Sequence, residues 1–224
     1  MKSTQTSVSA FMRGMAALAL CLAGIFTASC GASRPVKYYV LDPGESDPAR
    51  PATSARYPIT LLVARLGSSH LYRDDRLVYG SGPVELGTYE YHRWAEPPIE
   101  MVQDALINAL RSTDDYRSVA AIASNLRGEY ILRGRLDSLD EVDKPEITAR
   151  VSIELELFDA RAGATVWTGT YSHDEPVKGK TVPDVVEAMD RNLRSGVQQL
   201  AADLGRYFAQ YPPEPSQPQA LPRR

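Results

Sequence analysis

The sequence predicts an α+β fold: a single domain built on a mostly antiparallel sheet and covered by amphipathic helices. Three observations predict it. Ile147, Ala149, Val151, Ile153, Leu155 and Leu157 alternate with Thr148, Arg150, Ser152, Glu154 and Glu156, the period-2 pattern of a strand with one packed and one wet face. Val182, Val185, Met189, Leu193, Val197, Leu200 and Leu204 recur at helical spacing, enough for some six turns of a core-facing helix. Ile99, Val102, Leu106, Ala109 and Leu110 form a second, shorter stripe. With 224 residues, 43% of them hydrophobic and 24% charged, the chain has the length and composition of a globular domain with its own core.

The N-terminal stretch comes first because it sets the compartment. Lys2 and Arg13 precede an apolar run from Met15 to Phe26 and the small residues Thr27-Ala28-Ser29 before Cys30. A charged, then apolar, then small-residue order is that of an export signal over residues 1–29. The run is too short for a bilayer span, which takes roughly 20 residues. Ala28-Ser29-Cys30 resembles the lipobox of bacterial lipoproteins, although Thr27 stands where Leu is usual. That resemblance implies a diacylglycerol group on the Cys30 sulfur and an acyl chain on its freed amine, so that the bilayer is reached through lipid. Two or more acyl chains anchor a protein stably. Gly31, rather than Asp, follows Cys30, which by the same resemblance implies the outer membrane and its periplasmic face. Loss of residues 1–29 removes only two charges and leaves 23 basic against 28 acidic residues, a net of −5. A mildly acidic domain is not the footprint of a nucleic-acid binder. By that resemblance Cys21 leaves with the signal and Cys30 carries acyl groups, so no disulfide is expected in the mature chain.

The remaining elements follow in order, after a spacer over residues 30–35. Val36 to Leu41 is β-branched and aromatic enough for a strand. Asp42 to Pro58, with four prolines, reads as a loop. Ile59 to Leu66 is a continuous apolar run, the mark of a strand buried on both faces. Arg76–Tyr79 and Val84–Trp94, broken by glycines and Pro83, read as a hairpin. Pro98 opens a helix that runs to Arg111, since proline at the first helical position gives up no needed N–H. Tyr116 to Ile122 is a strand and Asn125 to Gly128 a turn. Glu129 to Leu139, Ile147 to Leu157 and Thr165 to His173 are three long strands, the last two joined by Ala160-Arg161-Ala162-Gly163. Thr181 N-caps the long helix, with Asp184 three residues on as in a capping box, and the helix reaches Tyr207. The domain spans residues 36–209, and the Pro-rich residues 210–224 cannot bury a core.

The residues give no catalytic constellation. His70, His92 and His173 are isolated in sequence and lack metal-ligand spacing, so no metal site is expected. Asp137 to Asp143 lacks the glycine and terminal glutamate of a calcium loop and reads as a solvated hairpin turn. No nucleophile elbow or phosphate-binding loop occurs, so the chain is not expected to be an enzyme and needs no cofactor beyond its acyl groups. One stretch stands out: Tyr72, Tyr79, Tyr89, Tyr91, His92, Arg93 and Trp94, interleaved with Arg73, Asp74, Asp75 and Arg76. Tyrosine, tryptophan and arginine dominate protein interfaces, so Tyr89, Tyr91, Arg93 and Trp94 are candidate partner-binding residues. The other reading places the aromatics in the core beneath the first helix.

Tyr38-Tyr39-Val40-Leu41-Asp42-Pro43, Tyr79, and Arg93-Trp94-Ala95-Glu96-Pro97 resemble the ABC-type transport auxiliary lipoproteins, the PqiC-like family, and the order of elements agrees from Tyr38 to Phe208. The resemblance implies a curved antiparallel sheet with two helices on one face, anchored by lipid at the outer membrane. It also implies partners: an MCE-domain periplasmic protein and its inner-membrane transport unit, which move lipid between membranes and so support the envelope. The family offers no catalytic residues to carry over. Two other classes stay open: a periplasmic lipid-binding carrier, which needs an apolar pocket between helices and sheet, and a periplasmic enzyme, which needs convergent titratable groups in a cleft. Whether the chain forms a homo-oligomer is also open.

Overall fold

One strand carries the architecture. In the computed structural model, which describes residues 34–42, 55–81 and 84–213, it is β7 (Tyr130–Val142). The expected signal segment, Cys30, most of the expected Asp42–Pro58 loop and most of the Pro-rich tail lie outside the described residues. The folded unit starts at Val36, and its elements run β1 (Lys37–Tyr39), β2 (Tyr57–Val63), β3 (Gly67–Ser68), a 3-10 turn over His70–Tyr72, β4 (Arg76–Gly80), β5 (Leu86–Trp94), α1 (Pro98–Arg111), β6 (Tyr116–Ala121), β7, β8 (Thr148–Asp159), β9 (Ala164–Pro176) and α2 (Val182–Gln210).

All nine strands join one sheet. Along one edge of β7 runs β8, followed by β9, in long antiparallel ladders. Along its other edge three short strands attach in succession, all parallel: β2 at Tyr130–Leu132, β3 at Arg135–Leu136 and β4 at Asp140–Val142. Each end of this edge grows a branch. β2 pairs with β6, parallel. β4 pairs with β5 antiparallel, and β5 with β1 parallel. The α+β class holds, with the antiparallel ladders the long ones and the parallel pairings the short ones.

The helices form where the stripes place them. Pro98 occupies the start of α1, and Arg111 at its end donates from Nε to the Val119 carbonyl at 2.9 Å, tying the helix to β6. Thr181 and Asp184 complete the capping box at the head of α2. Met189, Leu193, Val197 and Leu200 meet Val151, Ile153, Leu155 and Leu157 of β8 in one core cluster. Each such aliphatic chain contributes about 1.5–3 kcal/mol by leaving water. Asn192 is buried in this seam yet loses no hydrogen bond. Its amide donates to the Ala149 carbonyl at 2.8 Å and the His173 carbonyl at 2.9 Å, and its oxygen accepts from the Tyr171 hydroxyl at 2.6 Å. Gly196 lets α2 approach, since a Cβ there would meet the Tyr171 ring at 2.6 Å.

Three expectations need correction. Tyr57 and Pro58 belong to β2, not to a loop. The long helix continues past Tyr207 to Gln210, one residue into the expected tail. Asp137–Asp143 is no solvated turn: up to Val142 it is the end of β7, with Asp140 only 3% and Glu141 7% exposed. The long strand holds them inside because Tyr72 from the 3-10 turn and Tyr89 from β5 reach the two carboxylates.

Candidate functional site

The branch β4–β5–β1 gathers the aromatic residues. A β-bulge displaces the register of β5 against β4 between Arg76↔Arg93 and Val78↔Thr88. Bulges re-aim side chains, and here Tyr89 and His92 come into ring contact at 5.5 Å. The two sequence motifs, some 55 residues apart, are neighbouring strands: Tyr38 pairs with Arg93 and Tyr39 with Trp94, and the Ala95 N–H donates to the Tyr39 carbonyl at 2.8 Å.

A polar aromatic cluster results. Tyr39 Oη and His92 Nδ1 share a hydrogen bond of 2.8 Å beneath stacked rings. Tyr89 lies 5.0 Å from Tyr79 and donates to Glu141 Oε2 at 2.7 Å. Gly87 makes room for Tyr79, because a Cβ there would stand 2.6 Å from that ring. Burial, then the Glu141 hydrogen bond and charge, push the Tyr89 hydroxyl well above the usual phenol range. Burial also raises Tyr39, while burial and the nearby Lys37 lower His92. All three are therefore neutral near pH 7. Deeper in, Tyr72 donates to Asp140 at 2.8 Å. Burial raises this carboxyl, against the opposing pull of the Tyr72 hydrogen bond and the Arg150 charge.

The structure separates the four candidate partner residues. Trp94 is a core side chain, 1% exposed, and its indole N–H finds no acceptor among the described residues. Of the two readings the sequence leaves open for Trp94, this burial fits the core one, with the side chain facing inward beside Tyr39. Tyr89 and Tyr91 are half-buried, and Tyr89 packs against the core. Arg93 is half-buried and reaches Asp75 at 2.7 Å. The residue that sequence reasoning missed is Tyr38, on the partner position to Arg93, 64% exposed. With Val40, just past the strand, it gives this edge an exposed apolar aspect. Period 2 within the Tyr38-Tyr39 pair was the available signal, since one of two adjacent strand residues must face out.

His70 is exposed on its 3-10 turn and His173 lies 3.7 Å from Glu175, far from His92 along the chain. Among the described residues no three histidine, cysteine or carboxylate groups are placed to hold a metal. The hydroxyls and carboxylates of the cluster bind one another, an arrangement suited to rigid presentation of a surface.

The model of the ABC-type transport auxiliary lipoprotein component family matches residues 39–203, from the Tyr39 of β1 into the last turns of α2. The chain belongs to that family. This auxiliary lipoprotein is also similar in structure to a Xanthomonas campestris protein assigned to a family of unknown function, with a TM-score of 0.68 at 19% identity over 78% of this chain and 99% of that one. A second solved protein, described as uncharacterized, gives a TM-score of 0.59 at 14% identity over the same shares, 78% and 99%. At such identities the likeness is one of fold. No curated protein matches the chain. The family is one of transport components and lipoproteins, not of enzymes. No helix of the auxiliary lipoprotein is long and apolar enough to cross a membrane, among the described residues.

Proposed function

We propose that this auxiliary lipoprotein is held at the periplasmic face of the outer membrane by acyl groups on Cys30, and docks an MCE-domain protein of an ABC-type lipid-transport system. The observation that carries the docking is the β1–β5 edge, where the two family motifs meet and set exposed Tyr38 beside Arg93. A tyrosine and an arginine on a rigid strand edge are typical binding anchors. Tyr38→Ala and Arg93→Ala should each cut co-purification of the partner while the melting temperature stays within about 2 °C, because substitutions on exposed side chains and surface ion pairs change stability little. Full partner recovery with both variants sinks the reading. For the anchor, Cys30→Ser should move the protein out of the outer-membrane fraction, and an unchanged fractionation refutes lipid attachment.

The carrier reading has less support. Side chains lining the seam between α2 and the sheet, such as Met189, Leu193, Val151 and Leu155, are buried against each other. A cavity wide enough for an acyl chain would leave accessible surface on them.

A further inference from the structure

The chain has four lysines after Cys30: Lys37, Lys144, Lys178 and Lys180. All are exposed, and every ion pair among the described residues uses arginine or His173, never lysine. Three of the four share one end of the sheet. Leu86, Gly80, Val142, Thr148 and Pro176 are successive register partners across β5, β4, β7, β8 and β9. The described residues beyond that row therefore lie side by side: Ser81, Val84 and Glu85 between β4 and β5, the β7–β8 connection with Lys144, and the segment after β9 with Lys178 and Lys180. Hydrogen bonds stitch them together, Val177 N–H to the Ile147 carbonyl at 3.1 Å and Asp143 N–H to the Gly80 carbonyl at 3.1 Å. Beside Glu85, two aliphatic side chains are exposed here, Val84 at 95% and Leu86 at 48%.

The folded unit begins at Val36, close to this end. β1 runs parallel to β5 with Lys37 opposite His92 and Tyr39 opposite Trp94, so its first residue is the one nearer Leu86. From Cys30 to Val36 is six residues, a reach of about 20 Å at full extension. The far end of the sheet, at the β8–β9 turn, lies on the other side of a 13-residue strand, about 40 Å long.

We propose that this end rests on the bilayer that holds the Cys30 acyl groups, with Val84 and Leu86 at headgroup level and Lys144, Lys178 and Lys180 on lipid phosphates; the proposal rests on the lipid-anchor reading above. Lysine on a loop suits this, being a hydrated, mobile point charge, and a few exposed apolar residues beside basic ones favour the headgroup boundary. The carboxylates at this end temper the attraction: Glu85 and Glu146 are exposed, Asp143 accepts from the Ser81 hydroxyl at 3.0 Å, and Asp184 is engaged in capping α2. The contact orients a tethered domain and does not replace the tether.

The test uses the acylated full chain in vesicles of phosphatidylethanolamine and phosphatidylglycerol that carry a lipid-borne quencher. An environment-sensitive fluorophore is placed through Val84→Cys, or through Ala162→Cys at the β8–β9 turn as the control. Position 84 should be quenched at least twofold more than position 162. Replacing Lys144, Lys178 and Lys180 together by Gln should lower the docked fraction at position 84, about fivefold in equilibrium constant for each lysine at low salt. A chain that floats with the vesicles but shows equal quenching at 84 and 162 overturns the docking and leaves the anchor standing. Quenching that the triple Gln variant leaves unchanged overturns the lysine contact. A chain that does not float at all overturns the anchor and the docking with it.

Discussion

The two branches on the free edge of β7 are made from similar strands and put to different use. In β2–β6, Ile59, Leu61, Val63, Val119 and the tyrosines Tyr57 and Tyr116 are buried, closed over by α1 and by Phe208 from α2. In β4–β5–β1, Tyr39 and Tyr89 keep their hydroxyls in hydrogen bonds to His92 and Glu141, and Tyr38 on β1 and Val40 just after it stay exposed. The first branch stabilises by packing, and the second holds a surface in place through buried polar contacts. As strands they are joined only through β7, while Leu77, Val78 and Trp94 of the second pack in the same core cluster as Ile59 and Leu61 of the first.

The contrast can be broken most directly at Phe208, which touches Tyr57, Tyr116, Tyr130 and Tyr207 at ring distances of 5.2–5.8 Å. Phe208→Ala should lower stability by about 3–5 kcal/mol in denaturant unfolding while the partner still binds the folded fraction. A loss of binding at full folding would show that the branches are coupled. Tyr89→Phe comes next: it strips Glu141 of its hydroxyl donor and should cost about 1–3 kcal/mol. If its melting curve matches the parent, Glu141 does not depend on that bond.

A pH series sharpens the polar side. Burial raises the folded pKa of Asp140 above its unfolded value, so the native state binds the proton more tightly. Stability from this group is present below the unfolded pKa and falls as pH climbs through the folded one. Asp140→Asn should remove that fall, so the parent-minus-variant stability difference drops with rising pH across the acid range. A difference that stays flat over that range would mean Asp140 titrates normally. The smallest effect belongs to Tyr38→Ala, within about 0.5 kcal/mol of the parent, and a larger loss would mean that β1 packs more tightly than its exposure indicates.

The long elements were legible because their periodicity is local. The alternation from Ile147 to Leu157 and the stripe from Val182 to Leu204 each specify a face without reference to the rest of the chain. The attachment of β2, β3 and β4 to one strand was not legible, since register between segments some 60–70 residues apart leaves no repeat in the sequence. Asp140 and Glu141 were misread for the same reason. Their partners, Tyr72 and Tyr89, lie 68 and 52 residues away, and adjacent carboxylates without visible partners resemble a solvated turn. Trp94 stayed ambiguous because a strand aromatic suits a core and an interface equally. The family motifs mark the β1–β5 edge, though not which of its residues face outward.

The forked sheet also bears on order of appearance. In any process that delivers the chain from its N-terminus, whether synthesis or threading across a membrane, β1 through β6 arrive before residues 130–142. Until then β2 with β6, and β4 with β5 and β1, are two fragments with no strand in common, each exposing backbone donors and acceptors on the edge that β7 will take. Unpaired strand edges of this kind invite aggregation. A chain that stalls before β7 is left with two such edges, whereas one that stalls within α2 already has its sheet complete.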